Sequence, residues 1–321
     1  MDSLDKLILQ VLSNNCRISY SELARKAKVS PNTIKNRIQN LINQKIILGF
    51  TIQFNPALLK FSTAIISFQF SNQISEETIN RIGNYSLVSA VGVSLNSGFV
   101  VALYQSNEEL AQFSDHLHSL GNLTDLEILP ILLPLTVDTT KPKDRLESLQ
   151  PIDWLLLYHL RVNGRMSLSK LAKKTHLSVK TIKKRLNSLN KRKMIHTTIL
   201  MNPGAISKGL MVIFVLELPK ITREVRHSIE KMIRNVHEDN FWVSWQVVDR
   251  PIILIGFQVA NVHEVKIIQE DILKLIPECV MRKHMIGGDM KYFPDVTDQL
   301  LEDKRNQGWF SSELWERELN S

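Results

Sequence analysis

The chain carries one long pattern twice. "LDKLILQVLSNNCRISYSELARKAKVSPNTIKNRIQNLINQKII", starting at Leu4, lies without a gap on "IDWLLLYHLRVNGRMSLSKLAKKTHLSVKTIKKRLNSLNKRKMI", starting at Ile152. Asp5 falls on Asp153, Arg17 on Arg165, Ser30 on Ser178, Thr33 on Thr181 and Arg37 on Arg185. The offset is 148 residues in a chain of 321. Solenoid repeats recur every ~20–50 residues. A spacing near half the chain therefore means a duplicated domain set, and the fold must be built twice.

Each copy reads as three helices followed by a short β segment. Leu4, Leu7, Ile8, Val11 and Leu12 recur at helical spacing as one apolar stripe. Ser21 is expected to cap a short second helix running through Lys28. Ser30 is expected to cap a third, with Pro31 at its first position, where a missing N–H costs nothing. In that third helix Ile34, Ile38, Leu41 and Ile42 form the inward face, and Asn32, Asn36, Gln39, Asn40 and Asn43 the outward one. The second copy turns Ile182, Leu186 and Leu189 inward and Lys180, Lys184, Asn187 and Lys191 outward. Its outward face has changed from mostly amide to mostly ammonium. After the first third helix, "IILGFTIQFNP" predicts two short strands around Gly49, a wing.

A second pattern follows each helical module. "STAIISFQF", a helix from Ser75, "LVSAVGVSL", "GFVVALYQ", a helix over Asn107–Ser119 and a strand from Leu123 form one series. "LMVIFVLEL", a helix over Arg223–Val236, "FWVSWQVV", "IILIGFQVA", a helix over Val262–Leu275 and "CVMRKHMI" form the other. Both have the order βαββαβ. The expected fold class is α+β, a winged helix-turn-helix followed by a ferredoxin-like unit, the pair repeated twice. The expected divisions are 1–56 and 152–203 for the helical modules, 62–137 and 209–290 for the ferredoxin-like units, 138–151 for a linker and 291–321 for a tail. The linker is polar and contains two prolines, Pro142 and Pro151. Within the tail, Trp309, Phe310, Leu314, Trp315 and Leu319 are expected on one side of a short helix docked on its own domain.

Charge follows the repeat. Residues 1–56 hold 8 Lys+Arg against 3 Asp+Glu, and residues 152–203 hold 12 against 1, while the whole chain is only +8. The rest is therefore acidic, at −8. Two basic modules on an acidic body are the electrostatic footprint of a nucleic-acid binder. Cys16 and Cys279 alone make neither a zinc set nor a disulfide framework. The nine histidines show no metal-binding spacing, and no phosphate loop or nucleophile elbow appears. No apolar run approaches the ~20 residues that span a bilayer, and the opening residues do not form a signal peptide. A cytoplasmic location, no membrane contact and no cofactor are expected.

The elements "RIS-Y-ELA" and "VSP-T---RI--L" resemble the helix-turn-helix of the Lrp/AsnC family of prokaryotic regulators, and the ferredoxin-like units fit that family's sensing domain by pattern. The resemblance covers about residues 2–137 and 150–290. It implies double-stranded DNA as the partner, with the third helix of each module in the major groove. Carried over, Ser30, Asn32, Thr33, Asn36, Arg37 and Asn40 would meet DNA in one half, and Ser178, Lys180, Thr181, Lys184, Arg185 and Lys191 in the other. It also implies pairing, either between chains as a homo-oligomer or within this one as a pseudo-dimer, and a small-molecule effector. The family's Gly-x-Tyr-Asp-like turn between the second and third sensor strands is replaced by "SLNSGF" and "VVDRPI". A weak response to free amino acids is therefore expected. Two other classes share this architecture: siroheme decarboxylases, whose third-strand histidine is missing from "GFVVALYQ" and "IILIGFQVA", and non-sensing interaction or architectural DNA-binding proteins. The enzyme reading is set aside on the missing histidine.

Overall fold

The computed structural model describes residues 1–71, 73–132, 144–206 and 210–310. The first half runs α1 (Ser3–Asn14), α2 (Tyr20–Ala27), α3 (Pro31–Asn43), β1 (Ile47–Phe54), α4 (Pro56–Leu59), β2 (Ser62–Phe70), α5 (Glu76–Gly83), β3 (Val88–Val93), β4 (Ser97–Tyr104), α6 (Asn107–Ser119) and β5 (Leu123–Leu132). The second runs α7 (Pro151–Val162), α8 (Leu168–Thr175), α9 (Val179–Lys191), β6 (Ile195–Met201), β7 (Leu210–Glu217), α10 (Arg223–Val236), β8 (Phe241–Val247), β9 (Ile252–Val259), α11 (Val262–Leu275) and β10 (Val280–Gly287). Two further elements, β11 (Asp289–Tyr292) and α12 (Val296–Asn306), follow. The class is α+β, and the expected βαββαβ order holds in both halves.

Local chemistry sets the helix ends. The side chains of Asp2 and Asp5 cap α1 reciprocally. Helix α2 is capped by Ser19, which accepts from the Glu22 N–H, and ends at Lys28 in the left-handed region. The cap expected at Ser21 is therefore corrected to Ser19. Ser19 has the extended backbone an N-cap needs (φ −71°, ψ 151°), whereas Ser21 already lies inside the helix. Ser30 caps α3 ahead of Pro31, as expected.

The wing also differs from expectation. Instead of two strands around Gly49 there is one, β1, and its antiparallel partner is β6 of the other half. Thr51 stands opposite Thr198, with Phe50 opposite Ile199 and Ile52 opposite Thr197. These pairs are symmetric about the two threonines, which mark a pseudo-twofold axis. Each strand packs into the other half's helices. Ile52 and Phe54 belong to the core around Leu156, Leu160 and Leu186, while Ile199 belongs to that around Ile8, Leu12 and Ile34. A hairpin could not bury both faces of so apolar a strand, and exchange between copies does.

The same exchange recurs in the sheets. Along β2, Ala64, Ile66 and Phe68 face the helices of their own unit, while Ile65 faces the other unit. Along β7, Val212, Phe214 and Leu216 face inward, while Ile213 and Val215 meet the first unit. Strands buried on both faces read as near-continuous apolar runs, as "LMVIFVLEL" does, while "STAIISFQF" is interrupted by buried Ser67 and exposed Gln69. The two units stack through these residues, helices outermost, and edge pairing joins their strands into one nine-stranded sheet of order β10-β7-β9-β8-β5-β2-β4-β3-β11. Strand β5 overruns its own sheet so that Ile131 and Leu132 pair with Val247 and Gln246 of β8. Strand β11 does the same from the other half, pairing Asp289–Tyr292 with β3. Gly288 permits the crossing, because a Cβ there would lie 1.6 Å from the Val93 carbonyl oxygen. The two halves thus pair within one chain.

Helix α12 returns to the second helical module. Arg161 of α7 holds Asp298 at 2.6 Å and Asp295 at 3.0 Å. Leu301, Trp309 and Phe310 join the core around Trp154. The tail's first aromatics thus dock on this module, not on the sheet unit before them. Leu314, Trp315 and Leu319 lie outside the described residues. No described helix is long and apolar enough to cross a membrane.

Candidate nucleic-acid interface

Helices α3 and α9 each bury one apolar stripe and leave the rest of the surface open. In α3, Asn32, Asn36 and Asn40 are exposed, and in α9 so are Lys180, Lys184 and Lys191. Asn187 is exposed too, while Ser188, at the position of Asn40, is half-buried. Lys183 and Lys193 add to the cationic side. The faces inferred from helical spacing are the faces observed.

The four hydroxyls among the expected site residues are engaged in the caps. Ser30 Oγ accepts from the Thr33 N–H at 3.0 Å and lies 2.8 Å from Thr33 Oγ1. Ser178 and Thr181 repeat this at 3.0 Å and 2.9 Å. Each pair fixes the first turn of its helix and keeps one O–H donor for an outside partner. Pro31 removes one N–H from the N-terminus of α3 that Val179 keeps in α9. The second helix thus presents one more donor to an anion.

Arg37 and Arg185 lie at the margin of the face and reach back to the first helix of their own module. Arg37 Nη1 is 2.7 Å from Asp2 and 3.2 Å from Asp5. The hydrogen bond that Arg37 donates to Asp2 raises the arginine's already high pKa. Arg185 lies 3.8 Å from Asp153, a carboxyl whose pKa burial pushes up against the opposing pull of the Gln150 N–H and Arg185. Both arginine side chains are about one-third exposed, at 36% and 37%. They orient the third helix and retain donors on the outer side.

Sequence reasoning missed the contacts that hold the two modules together. Arg17 donates to the carbonyls of Gly164 (2.6 Å) and Met166 (3.0 Å), and Arg165 donates to that of Ile18 (3.3 Å). Met166 is the repeat counterpart of Ile18, so the two bonds exchange across the axis. The Thr51 and Thr198 hydroxyls donate to the Arg161 and Ser13 carbonyls, each at 2.9 Å. Arg165 also lies over the rings of Tyr20 (4.8 Å) and Phe50 (5.4 Å). The signal was present in the repeat, where Arg17 falls on Arg165 outside the third helix. The exposed faces of α3 and α9 are therefore held in one body by the β1–β6 ribbon.

The AsnC-type helix-turn-helix domain matches twice, at residues 1–42 and 149–190. An uncharacterized HTH-type transcriptional regulator of Pyrococcus abyssi is 44% identical over 117 residues, which is 35% of this chain and 79% of that protein. The chain belongs to the Lrp/AsnC family. An HTH-type transcriptional regulator of Methanocaldococcus jannaschii is 26% identical over 136 residues, 41% of this chain and 92% of that one. Each of these two relatives spans less than half of this chain, in keeping with a tandem duplication. The crystal structure of the siroheme decarboxylase NirDL covers 95% of this chain and 99% of its own, with a TM-score of 0.53 and 12% identity. That likeness establishes the doubled fold and nothing about activity.

Proposed function

We propose that this Lrp/AsnC protein is a sequence-specific, double-stranded DNA-binding transcription regulator that reads an asymmetric site with two unlike heads. One observation carries the proposal. Helices α3 and α9 are held in one body by the β1–β6 ribbon, yet the first presents Asn32, Asn36 and Asn40 and the second Lys180, Lys184 and Lys191. Amides suit adenine edges. Ammonium groups bind phosphate as point charges and select bases poorly. The relatives' names as transcriptional regulators support the same reading.

A selection from random duplexes is the test. It should enrich one motif whose half-sites differ and lie about 10 base pairs apart, or a multiple of that. A perfect palindrome bound better than any asymmetric site would reject the unlike-heads reading, and recovery of no motif at low salt would reject the regulator.

The reading assigns no catalytic role. Strands β4 and β9 contain no histidine. A cytoplasmic location accompanies the regulator reading, supported by its relatives.

A further inference from the structure

A cavity of about 430 Å³ lies where the ribbon, both sheet units and α12 meet. Its roof is the ribbon itself, with Gln53 and His196, which pair across the two strands. Leu103 of the first unit and Trp242 and Arg234 of the second form its walls. It is distinct from the two strand-turn-strand segments, "SLNSGF" and "VVDRPI", where the family's turn motif would stand. Among the described residues no ion pair or hydrogen bond of the DNA-facing helices uses its lining.

The lining restricts what fits. Phe61 and Trp242, both half-buried, offer flat apolar surface. Arg234 spends Nε and Nη2 on Glu230, at 3.1 and 3.0 Å, which leaves Nη1 for another acceptor. The one carboxylate in the wall, Asp295, is already held by Arg161 at 3.0 Å and by the Thr297 N–H at 2.7 Å. At 6% exposure it offers little surface to a ligand ammonium. His196 lies 2.9 Å from the Ser13 carbonyl through Nε2. A carbonyl only accepts, so Nε2 carries the proton and Nδ1 of the neutral ring is an acceptor. Burial lowers the His196 pKa and so favours the neutral ring. The volume suits a ligand of roughly 10–20 non-hydrogen atoms. A polycarboxylate macrocycle would need many cations, and Arg234 is the one cation in this wall.

We infer that this cavity binds a small monocarboxylate with a flat apolar body and no α-ammonium group, and that occupancy alters the heads through Gln53 and His196 of the ribbon. The second half of this inference rests on the DNA-binding reading, and the first does not.

Calorimetry on the full chain without DNA tests the first half, with 3-phenylpropanoate as probe and phenylalanine as its α-ammonium counterpart. The expected result is binding of phenylpropanoate, with phenylalanine at least about tenfold weaker. Arg234→Gln should weaken phenylpropanoate by about tenfold or more. Leu103→Trp should abolish binding by filling the space. Should Leu103→Trp fail to fold, Arg234→Gln, at a half-exposed helical position, still decides the matter. No heat with phenylpropanoate at roughly 10 mM, equal affinity for phenylalanine, or an unchanged Arg234→Gln would overturn the site. A duplex-binding curve with and without phenylpropanoate tests the second half. An unshifted curve overturns the coupling, whereas no DNA binding under either condition counts against the regulator reading and leaves the cavity result standing.

Discussion

The two heads differ most at one buried position of the first helix. In the second head it is Trp154, 5.7 Å from Phe54 and 6.5 Å from Trp309 by ring centroids. In the first head it is Lys6, 8% exposed, with no hydrogen-bond partner for Nζ among the described residues. Burial pushes the Lys6 pKa down to about 8, against the pull of Asp239 and Glu264 in the second sheet unit. The backbones are equivalent and the neighbours are not, since α12 covers only the second head. Duplication therefore fixes the helices, and the surroundings decide what each may bury. One head is anchored by an aromatic cluster, the other leans on an acidic patch.

The largest expected effect is at the aromatic anchor. Trp154→Ala should destabilise the chain by about 3–5 kcal/mol, read as a shift in the chemical-denaturation midpoint. A loss below about 1 kcal/mol would mean that the tail does not hold the second head.

Lys6→Met should act in the opposite direction. The folded-state pKa lies below the unfolded one, so the unfolded chain binds more protons between about pH 8 and 10.4. The penalty is fully present below pH 8 and disappears as pH rises to the unfolded value. The methionine variant should be the more stable by up to roughly 3 kcal/mol at pH 7, with the difference closing by about pH 10.5. A pH-independent difference would contradict the buried ammonium.

The division between the reading faces comes next. Asn32→Ala with Asn36→Ala should cost about 1–3 kcal/mol per lost bidentate contact, on the preferred duplex only, with the salt slope unchanged. Lys180→Ala with Lys184→Ala should flatten the slope of log affinity against log salt by up to roughly two units on every sequence. Salt titrations on preferred and scrambled duplexes compare the two, and exchanged outcomes would reverse the assignment of roles.

The smallest effect is expected where both sheet units resemble each other, in lacking the family's turn motif. Calorimetry with a panel of free amino acids should give weak binding or none. Micromolar affinity for any one would refute this.

The sequence was most legible where period and punctuation agree. Helices over Asn107–Ser119, Arg223–Val236 and Val262–Leu275 have the bounds that their capping and spacing imply. The exposed faces of α3 and α9 were likewise readable from helical spacing. What stayed hidden depends on contacts between distant residues. "IILGFTIQFNP" has a glycine where a hairpin could turn, and nothing local says that its partner lies some 150 residues away. β11 was missed because "DMKY" is short and polar, and its pairing with β3 is set by the close approach at Gly288. Arg37 showed its spacing but not its tie to Asp2, which depends on the packing of α3 on α1.

The crossing of β5 and β11 between the sheet units has a consequence for dosage. A regulator assembled from two half-length chains falls apart on dilution, and its operator occupancy then rises as the square of protein concentration. Here both reading heads belong to one molecule, so the second head's local concentration is fixed by covalent connection and does not fall with expression level. With DNA read by this intrachain pair as proposed, occupancy should follow a simple hyperbola with no assembly threshold.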